Sequence, residues 1–182
     1  MQTVFLDRDG VLNEKAPEGQ YVSHWRDFRV LDGVPEAVAL LNRAGKRVIV
    51  VTNQRGVALG LYTVADVQAL HAKFAQLLEQ QNARIDAFYI CPHDRGECTC
   101  RKPLPGLFEQ AIADFPEISA AESVMVGDSL VDIEFGRQLG MKTIFVVGPA
   151  QNQPPGAERA AGLADLKCPS LVEAVKALVS FT

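Results

Sequence analysis

Five short segments of the chain are almost entirely apolar and rich in β-branched residues, and amphipathic segments separate them. The five apolar segments cover residues 3–6, 47–51, 87–90, 123–126 and 143–147. Strands that are apolar at nearly every position are typical of a parallel sheet that is covered on both faces. The alternation therefore predicts an α/β fold, a three-layer, doubly wound (Rossmann-like) domain around a mainly parallel sheet.

The amphipathic segments predict helices with recognisable first and last residues. The predicted helices cover residues 35–44, 63–80, 105–114, 131–139 and 170–179. Thr63 with Asp66, and Ser170 with Glu173, form the capping pairs typical of a helix start. Residues rich in Pro, Gln and Gly predict a surface loop over 148–162, and His71 is expected on the protein surface. No insertion is long enough for a cap domain, so residues 1–182 are predicted to form one domain.

The size and charge of the chain limit what it can bind. It has 182 residues, of which 48% are hydrophobic, and a formal net charge of -4. An acidic chain has no general attraction for nucleic acid or anionic membranes, and no apolar run approaches the roughly 18 residues of a membrane helix. The sequence also lacks the pattern of a secretory signal. We expect a cytoplasmic protein that acts on a small molecule. A single domain of this size is compatible with a monomer, so we also expect it to be monomeric.

Polar side chains follow the predicted strands, where strand ends meet at one edge of a parallel sheet. They are Asp7, Asp9, Thr52, Asn53, Lys102, Asp128 and Asp132. Clustered carboxylates ionise together only beside a cation, and oxygen ligands suit Mg²⁺. One Asp could attack phosphorus, and an Asp two residues later could exchange a proton with the leaving group and then with water. This set predicts magnesium-dependent phosphoryl chemistry at the sheet edge.

Four short motifs, "DRDGVLN", "VTNQ", "RKP" and "GDSLVD", occur in this order. They resemble the four motifs of the haloacid dehalogenase-like phosphatases, and the resemblance covers residues 1 to about 147. It implies a fold of that family without a cap domain, and an aspartyl-phosphate mechanism with Asp7 as nucleophile and Asp9 as general acid/base. The remaining implied roles fall on residues at the other strand ends. These are Thr52, Asn53, Gln54 and Lys102 for the phosphoryl group, and Asp7, the Asp9 main-chain carbonyl and Asp128 for magnesium.

Two further expectations concern neighbours of these motif residues. Asp132 is expected to orient a metal-bound water or a nearby side chain. Strand alternation points Arg8 away from the reaction centre, which predicts a structural role for it.

The segment 91–100, "CPHDRGECTC", holds Cys91, His93, Cys98 and Cys100. Three thiolates and one imidazole form a complete tetrahedral shell for zinc. A buried cysteine pair, or a catalytic cysteine, would not account for three thiols and a histidine within ten residues. Four protein ligands leave no open position, so we predict a structural zinc that holds the following residues, Arg101 and Lys102, in place.

A zinc loop ahead of "RKP" resembles two groups within this family, the heptose bisphosphate phosphatases and the histidinol-phosphate phosphatases. The run "TNQRGVALGLYT" favours the first group, and the second remains the alternative. The resemblance implies that Arg101 selects the substrate. Ser129 stands where members of both groups carry a basic residue, and we expect Arg55 to supply a cation instead.

Two classes outside this family account for the sequence less well. A zinc module that binds nucleic acid would need more basic and aromatic residues than the loop contains. A flavodoxin-like receiver domain would accept a phosphoryl group on Asp7 without turnover. Such a domain would not need a base at Asp9.

Overall fold

A computed structural model of the chain describes residues 2–17, 19–148 and 154–180. Its sheet has six strands in the order β3-β2-β1-β4-β5-β6, and every neighbouring pair is parallel. The strands are β1 (Thr3–Leu6), β2 (Arg47–Asn53), β3 (Ala87–Cys91), β4 (Ser123–Gly127), β5 (Lys142–Val146) and β6 (Leu166–Cys168). The five predicted strands are confirmed, and β6 is an addition at the sheet edge.

Helices cover both faces of this sheet. They are α1 (Val34–Arg43), α2 (Arg55–Ala58), α3 (Val64–Glu79), α4 (Gly106–Asp114), α5 (Leu130–Leu139), α6 (Ala157–Leu163) and α7 (Leu171–Ser180). Within β1, Val4 and Leu6 belong to the core that α1, α3 and α7 cover, whereas Phe5 belongs to the core under α4 and α5. Successive side chains of a buried strand thus enter opposite cores, which confirms the three-layer arrangement.

The structure corrects the sequence analysis in three places. The predicted loop at 148–162 contains most of α6, and its residues 149–153 lie outside the described residues. Strand β6 is short and two of its three residues are exposed, so it lacks the apolar pattern of the central strands. His71 is buried, with 3% of its surface exposed, because the face of α3 that packs on the sheet includes it, and its ring stacks on Phe88 at 4.5 Å.

The strand order fixes where a ligand can bind. Strands β1 and β4 are neighbours although they are far apart in sequence, and a crevice forms at such a switch point outside the carboxyl ends of the strands. Asp7 follows β1 and Asp128 follows β4. Gly10 adopts a φ of 94°, and a Cβ atom on it would overlap the Asp128 carboxylate, so only glycine lets this turn close over the site.

The longest helix among the described residues, α3, has 16 residues, and no described helix is long and apolar enough to cross a membrane.

Candidate active site

Lys102 lies buried between two carboxylates at the floor of the site. Its Nζ donates hydrogen bonds to Asp7 Oδ1 at 2.8 Å, to Asp132 Oδ1 at 2.6 Å and to the Val51 carbonyl at 2.7 Å. Burial lowers the pKa of Lys102, but Asp132 and Asp7 more than offset this, so its pKa lies above the ordinary value. The ammonium group is therefore a fixed positive charge beside Asp7.

The main chain of Lys102 is held by Asn53. The Asn53 side chain donates from Nδ2 to the Lys102 carbonyl at 3.1 Å and accepts at Oδ1 from the Lys102 amide at 3.0 Å. These two hydrogen bonds join the end of β2 to the segment that returns from the cysteine loop. Asn53 therefore positions the cation, and Asp132, through its bond to Nζ, does the same from the other side.

Three carboxylates meet at the ends of β1 and β4. One oxygen each of Asp7, Asp128 and Asp132 lies within 4.8 Å of the others. Burial raises the pKa of Asp7 to about 6 against the pull of Lys102, and raises that of Asp128 to about 7 against Lys15. Oδ1 of Asp128 is buried and has no hydrogen-bond partner among the described residues. A buried cluster of carboxylate oxygens, one of which has no hydrogen-bond partner among the described residues, suits a hard cation such as Mg²⁺.

The Asp9 carboxylate lines the same cavity but is not part of this cluster, and three side-chain donors hold it. Its Oδ1 accepts from Arg8 Nη2 and from Asn13 Nδ2, each at 2.9 Å, and its Oδ2 accepts from Gln54 Nε2 at 3.1 Å. Burial raises the pKa of Asp9, but the charge of Arg8 and the three hydrogen bonds lower it below its ordinary value. A metal ligand from Asp9 would thus be its main-chain carbonyl, as the resemblance implies.

A cavity of about 350 Å³ opens above Asp7 and Lys102. Four further cationic side chains line it, namely Arg8, Lys15, Arg95 and Arg101. The Arg101 guanidinium donates to the His93 carbonyl at 3.3 Å, which links it to the cysteine loop. Ser129 faces the cavity too, but its amide and hydroxyl both donate to Asp132 at the start of α5. Positive charge around the cavity thus favours an anionic ligand.

The cysteine loop gathers its four predicted ligands. The Cys91–Cys98 and Cys98–Cys100 sulfur pairs are 3.6 and 3.4 Å apart, and His93 Nδ1 lies 3.9 Å from Cys91 Sγ and 3.3 Å from Cys100 Sγ. A tetrahedral zinc with Zn–S bonds of about 2.3 Å separates its ligand atoms by roughly 3.5–3.8 Å. The observed separations lie within a few tenths of an ångström of these values, so the four side chains could hold a zinc ion.

Comparison with known proteins places the chain in a family. The model of a family described as HAD-hydrolase-like matches residues 99–174. A D-glycero-alpha-D-manno-heptose-1,7-bisphosphate 7-phosphatase of Mycobacterium tuberculosis is 37% identical over 171 residues, which cover 93% of this chain and 87% of that one. The chain belongs to the haloacid dehalogenase-like phosphatases. A D-glycero-beta-D-manno-heptose-1,7-bisphosphate 7-phosphatase of Neisseria meningitidis is also 37% identical, over 148 residues that cover 81% of this phosphatase and 78% of the relative.

A solved structure supports the same assignment. It is that of D,D-heptose 1,7-bisphosphate phosphatase from B. bronchiseptica, complexed with magnesium and phosphate. It matches this phosphatase with a TM-score of 0.86 at 30% identity, over 100% of both chains. The fold expected from the motifs is thereby confirmed.

Sequence reasoning missed several residues of the phosphatase site. Arg8 was expected to have a structural role away from the centre, but it is 1% exposed and contacts Asp9 directly. Strand alternation does not apply to it, because β1 ends at Leu6. Its Nη2 also donates to the Val22 carbonyl at 2.9 Å. Lys15 and Arg95 lie in loops, where no periodic pattern indicates direction.

The structure places Gln54 in the cavity lining, as predicted, but does not place Arg55 there. Gln54 lies within the site, where it donates to Thr52 Oγ1 at 2.8 Å and accepts from the Tyr62 hydroxyl at 2.9 Å. Arg55 instead pairs with Asp94 of the cysteine loop and is not among the residues that line the cavity. The predicted replacement cation is thus engaged elsewhere.

Proposed function

We propose that this phosphatase removes the 7-phosphate of D-glycero-D-manno-heptose 1,7-bisphosphate through a phosphoryl group carried on Asp7. One observation carries the proposal. The Asp7 carboxylate is held by the buried Lys102 at the floor of a cavity that Lys15, Arg95 and Arg101 also line. A bisphosphate has a second anionic group that Arg95 and Arg101 could bind, and relatives named for this substrate are 37% identical.

The reaction divides into two steps on the same residues. An Asp7 oxygen attacks phosphorus, the bond from phosphorus to the sugar oxygen breaks, and Asp9 gives that oxygen a proton. Water then attacks the phosphoryl group on Asp7, Asp9 accepts the proton of that water, and phosphate leaves. The first step uses protonated Asp9, which becomes ionised when it gives up its proton. The donors around Asp9 stabilise that ionised form, which accepts the proton of the attacking water in the second step.

The residues around Asp7 support both steps. Lys102 offsets the negative charge of the phosphoryl oxygens at a buried position, where electrostatic stabilisation is strong. The Thr52 oxygen accepts a hydrogen bond from Gln54, which leaves its own hydrogen free to donate to a phosphoryl oxygen.

Two metals complete the proposal. Asp7, the Asp9 carbonyl and Asp128 would hold Mg²⁺, with Asp132 close by, and the ion would supply charge neutralisation for the phosphoryl group. Cys91, His93, Cys98 and Cys100 would hold zinc, which has no open position and would fix the loop that precedes Arg101 and Lys102.

The test compares substrates. We expect kcat/KM for the heptose bisphosphate to exceed that for histidinol phosphate by at least about tenfold. Both anomers should be measured, since relatives named for each are equally similar to the chain. The Asp7→Asn variant should fold and release no phosphate from either anomer. A preference for histidinol phosphate would overturn the substrate, and near-normal turnover by Asp7→Asn would overturn the mechanism.

A further inference from the structure

Lys15 forms an ion pair with a carboxylate of the proposed magnesium site. Its Nζ lies 2.7 Å from Asp128 Oδ2, although the two residues are 113 positions apart. The Lys15 side chain is 32% exposed, whereas that of Asp128 is 8% exposed. Lys15 lies in the loop after β1 and reaches the cavity on a long, flexible side chain, so it can exchange one partner for another at little cost.

The local charges show why this contact depends on the metal. The three clustered carboxylates of Asp7, Asp128 and Asp132 face two ammonium groups, Lys102 and Lys15. Lys102 is fixed by both Asp7 and Asp132, so Lys15 is the ammonium group paired with Asp128. Burial lowers the pKa of Lys15, but Asp128 raises it above its ordinary value, which keeps the group charged.

A divalent cation on the cluster would reverse the local balance. It would bring two positive charges to carboxylates that Lys102 and Lys15 already pair with, and like charges on the same carboxylate repel. Lys15 would lose its attraction to Asp128 and find its best remaining partner in an anion within the cavity, which it also lines. Phosphate offers strong acceptor oxygens at that position.

We propose that Lys15 is a phosphate-binding residue of this site, and that its ammonium group is held by Asp128 until Mg²⁺ binds and releases it to the phosphoryl group. The inference rests on the proposed function for the location of the phosphoryl group, but not on the identity of the sugar. The proposal predicts two opposite effects of Lys15 on binding. Lys15 opposes the binding of Mg²⁺ alone and favours the binding of phosphate once Mg²⁺ is present.

The first test measures Mg²⁺ binding by titration calorimetry without substrate or phosphate. Lys15→Gln should lower the Mg²⁺ dissociation constant by about 3- to 10-fold, the effect of removing one nearby competing charge. Lys15→Arg keeps the charge and should stay close to the parent protein. Lys73→Gln, which removes an exposed charge on α3, controls for net charge and should have no effect. An unchanged or weaker Mg²⁺ affinity in Lys15→Gln would mean that Lys15 only orients Asp128, and the proposal would fail.

The second test measures binding of inorganic phosphate with and without saturating Mg²⁺. With Mg²⁺, Lys15→Gln should weaken phosphate binding by about 5- to 50-fold, as expected for loss of a charged hydrogen bond. Without Mg²⁺ the variant and parent proteins should bind phosphate equally, because Asp128 still holds Lys15. Equal phosphate affinity in the presence of Mg²⁺ would overturn the proposal. Neither measurement uses a sugar phosphate. An error in the proposed substrate would therefore appear in the kcat/KM comparison and would not affect these two tests.

Discussion

Arg55 and Asp94 form a two-point ion pair between helix α2 and the cysteine loop. Arg55 Nε lies 2.6 Å from Asp94 Oδ1, and Nη2 lies 3.0 Å from Oδ2. Asp94 directly follows the predicted zinc ligand His93, so the pair joins α2 to the loop next to the predicted zinc site. Two parallel hydrogen bonds to one carboxylate require the planar guanidinium group of arginine, and the single ammonium group of lysine cannot form them. Arg55 thus contacts the loop that precedes Arg101 and does not line the cavity.

This relationship predicts how Arg55 and Asp94 variants compare. Arg55→Gln and Asp94→Asn should each raise KM by a similar factor and change kcat little, because both loosen the loop that carries Arg101. The double variant should be no worse than either single variant, as a double-mutant cycle shows for two residues that act through one contact. Steady-state kinetics of the three variants provides the check. A much larger KM for Arg55→Gln than for Asp94→Asn would instead indicate direct contact of Arg55 with the substrate.

A second prediction concerns the proton that Asp9 transfers. Asp9→Asn should reduce turnover of a sugar phosphate by about 10²–10⁴-fold, the usual contribution of a general acid/base. The loss should be smaller on an aryl phosphate, because its leaving group needs less protonation. Rates of single-turnover phosphate release on both substrates test this. Asp7→Asn is the control, since it should abolish both reactions equally. Equal losses in Asp9→Asn on the two substrates would contradict the acid role.

The sheet and the motif residues could be predicted because their signals are local. Each central strand is apolar along its length, and its carboxyl end carries the polar residues, so parallel pairing brings Asp7 and Asp128 together. The partners of these residues could not be predicted in this way. Lys15 meets Asp128 across 113 positions, and Arg8 turns toward Asp9 because the strand has already ended. Loop geometry determines both contacts, and no periodic pattern encodes it.

The same distinction explains the errors at the sheet edge. Helix α6 buries only Ala157 and Ala160, so its apolar face is too narrow to stand out in a segment rich in Pro, Gln and Gly. His71 follows Leu70 on the buried face of α3, and only the packing against Phe88 reveals that the ring is inside. Small and polar residues in the interior carry no hydrophobic signal.

A third prediction separates the two proposed metals. Purified protein should contain about one zinc per chain, and Cys98→Ser should lower that content and raise KM, because Arg101 and Lys102 follow the loop. Cys168→Ser is the matched control, since Cys168 lies outside the cluster. Protein that keeps its zinc after treatment with EDTA should still require added Mg²⁺. Full activity of such protein without Mg²⁺ would contradict the division between a structural zinc and a catalytic magnesium.

The last prediction concerns the buried His71. Among the described residues neither ring nitrogen has a hydrogen-bond partner, and burial, with the charge of Arg8, lowers its pKa from 6.5 to about 3. Between these two pH values the unfolded chain binds a proton at His71 that the folded chain does not bind. The free energy of unfolding should therefore decrease as the pH falls below 6.5. The expected loss is about 2 kcal/mol of unfolding free energy between pH 7 and pH 5.

His71→Phe keeps a flat ring against Phe88 and cannot take up a proton. Urea unfolding of the metal-free protein at both pH values should therefore show a smaller loss of stability in this variant than in the parent protein. Taking the difference between the two proteins removes the contribution of the site carboxylates, which both share. His24→Gln, which alters an exposed histidine, should lose stability on acidification as the parent does. The same pH dependence in His71→Phe and the parent would mean that the buried ring takes up its proton without unfolding.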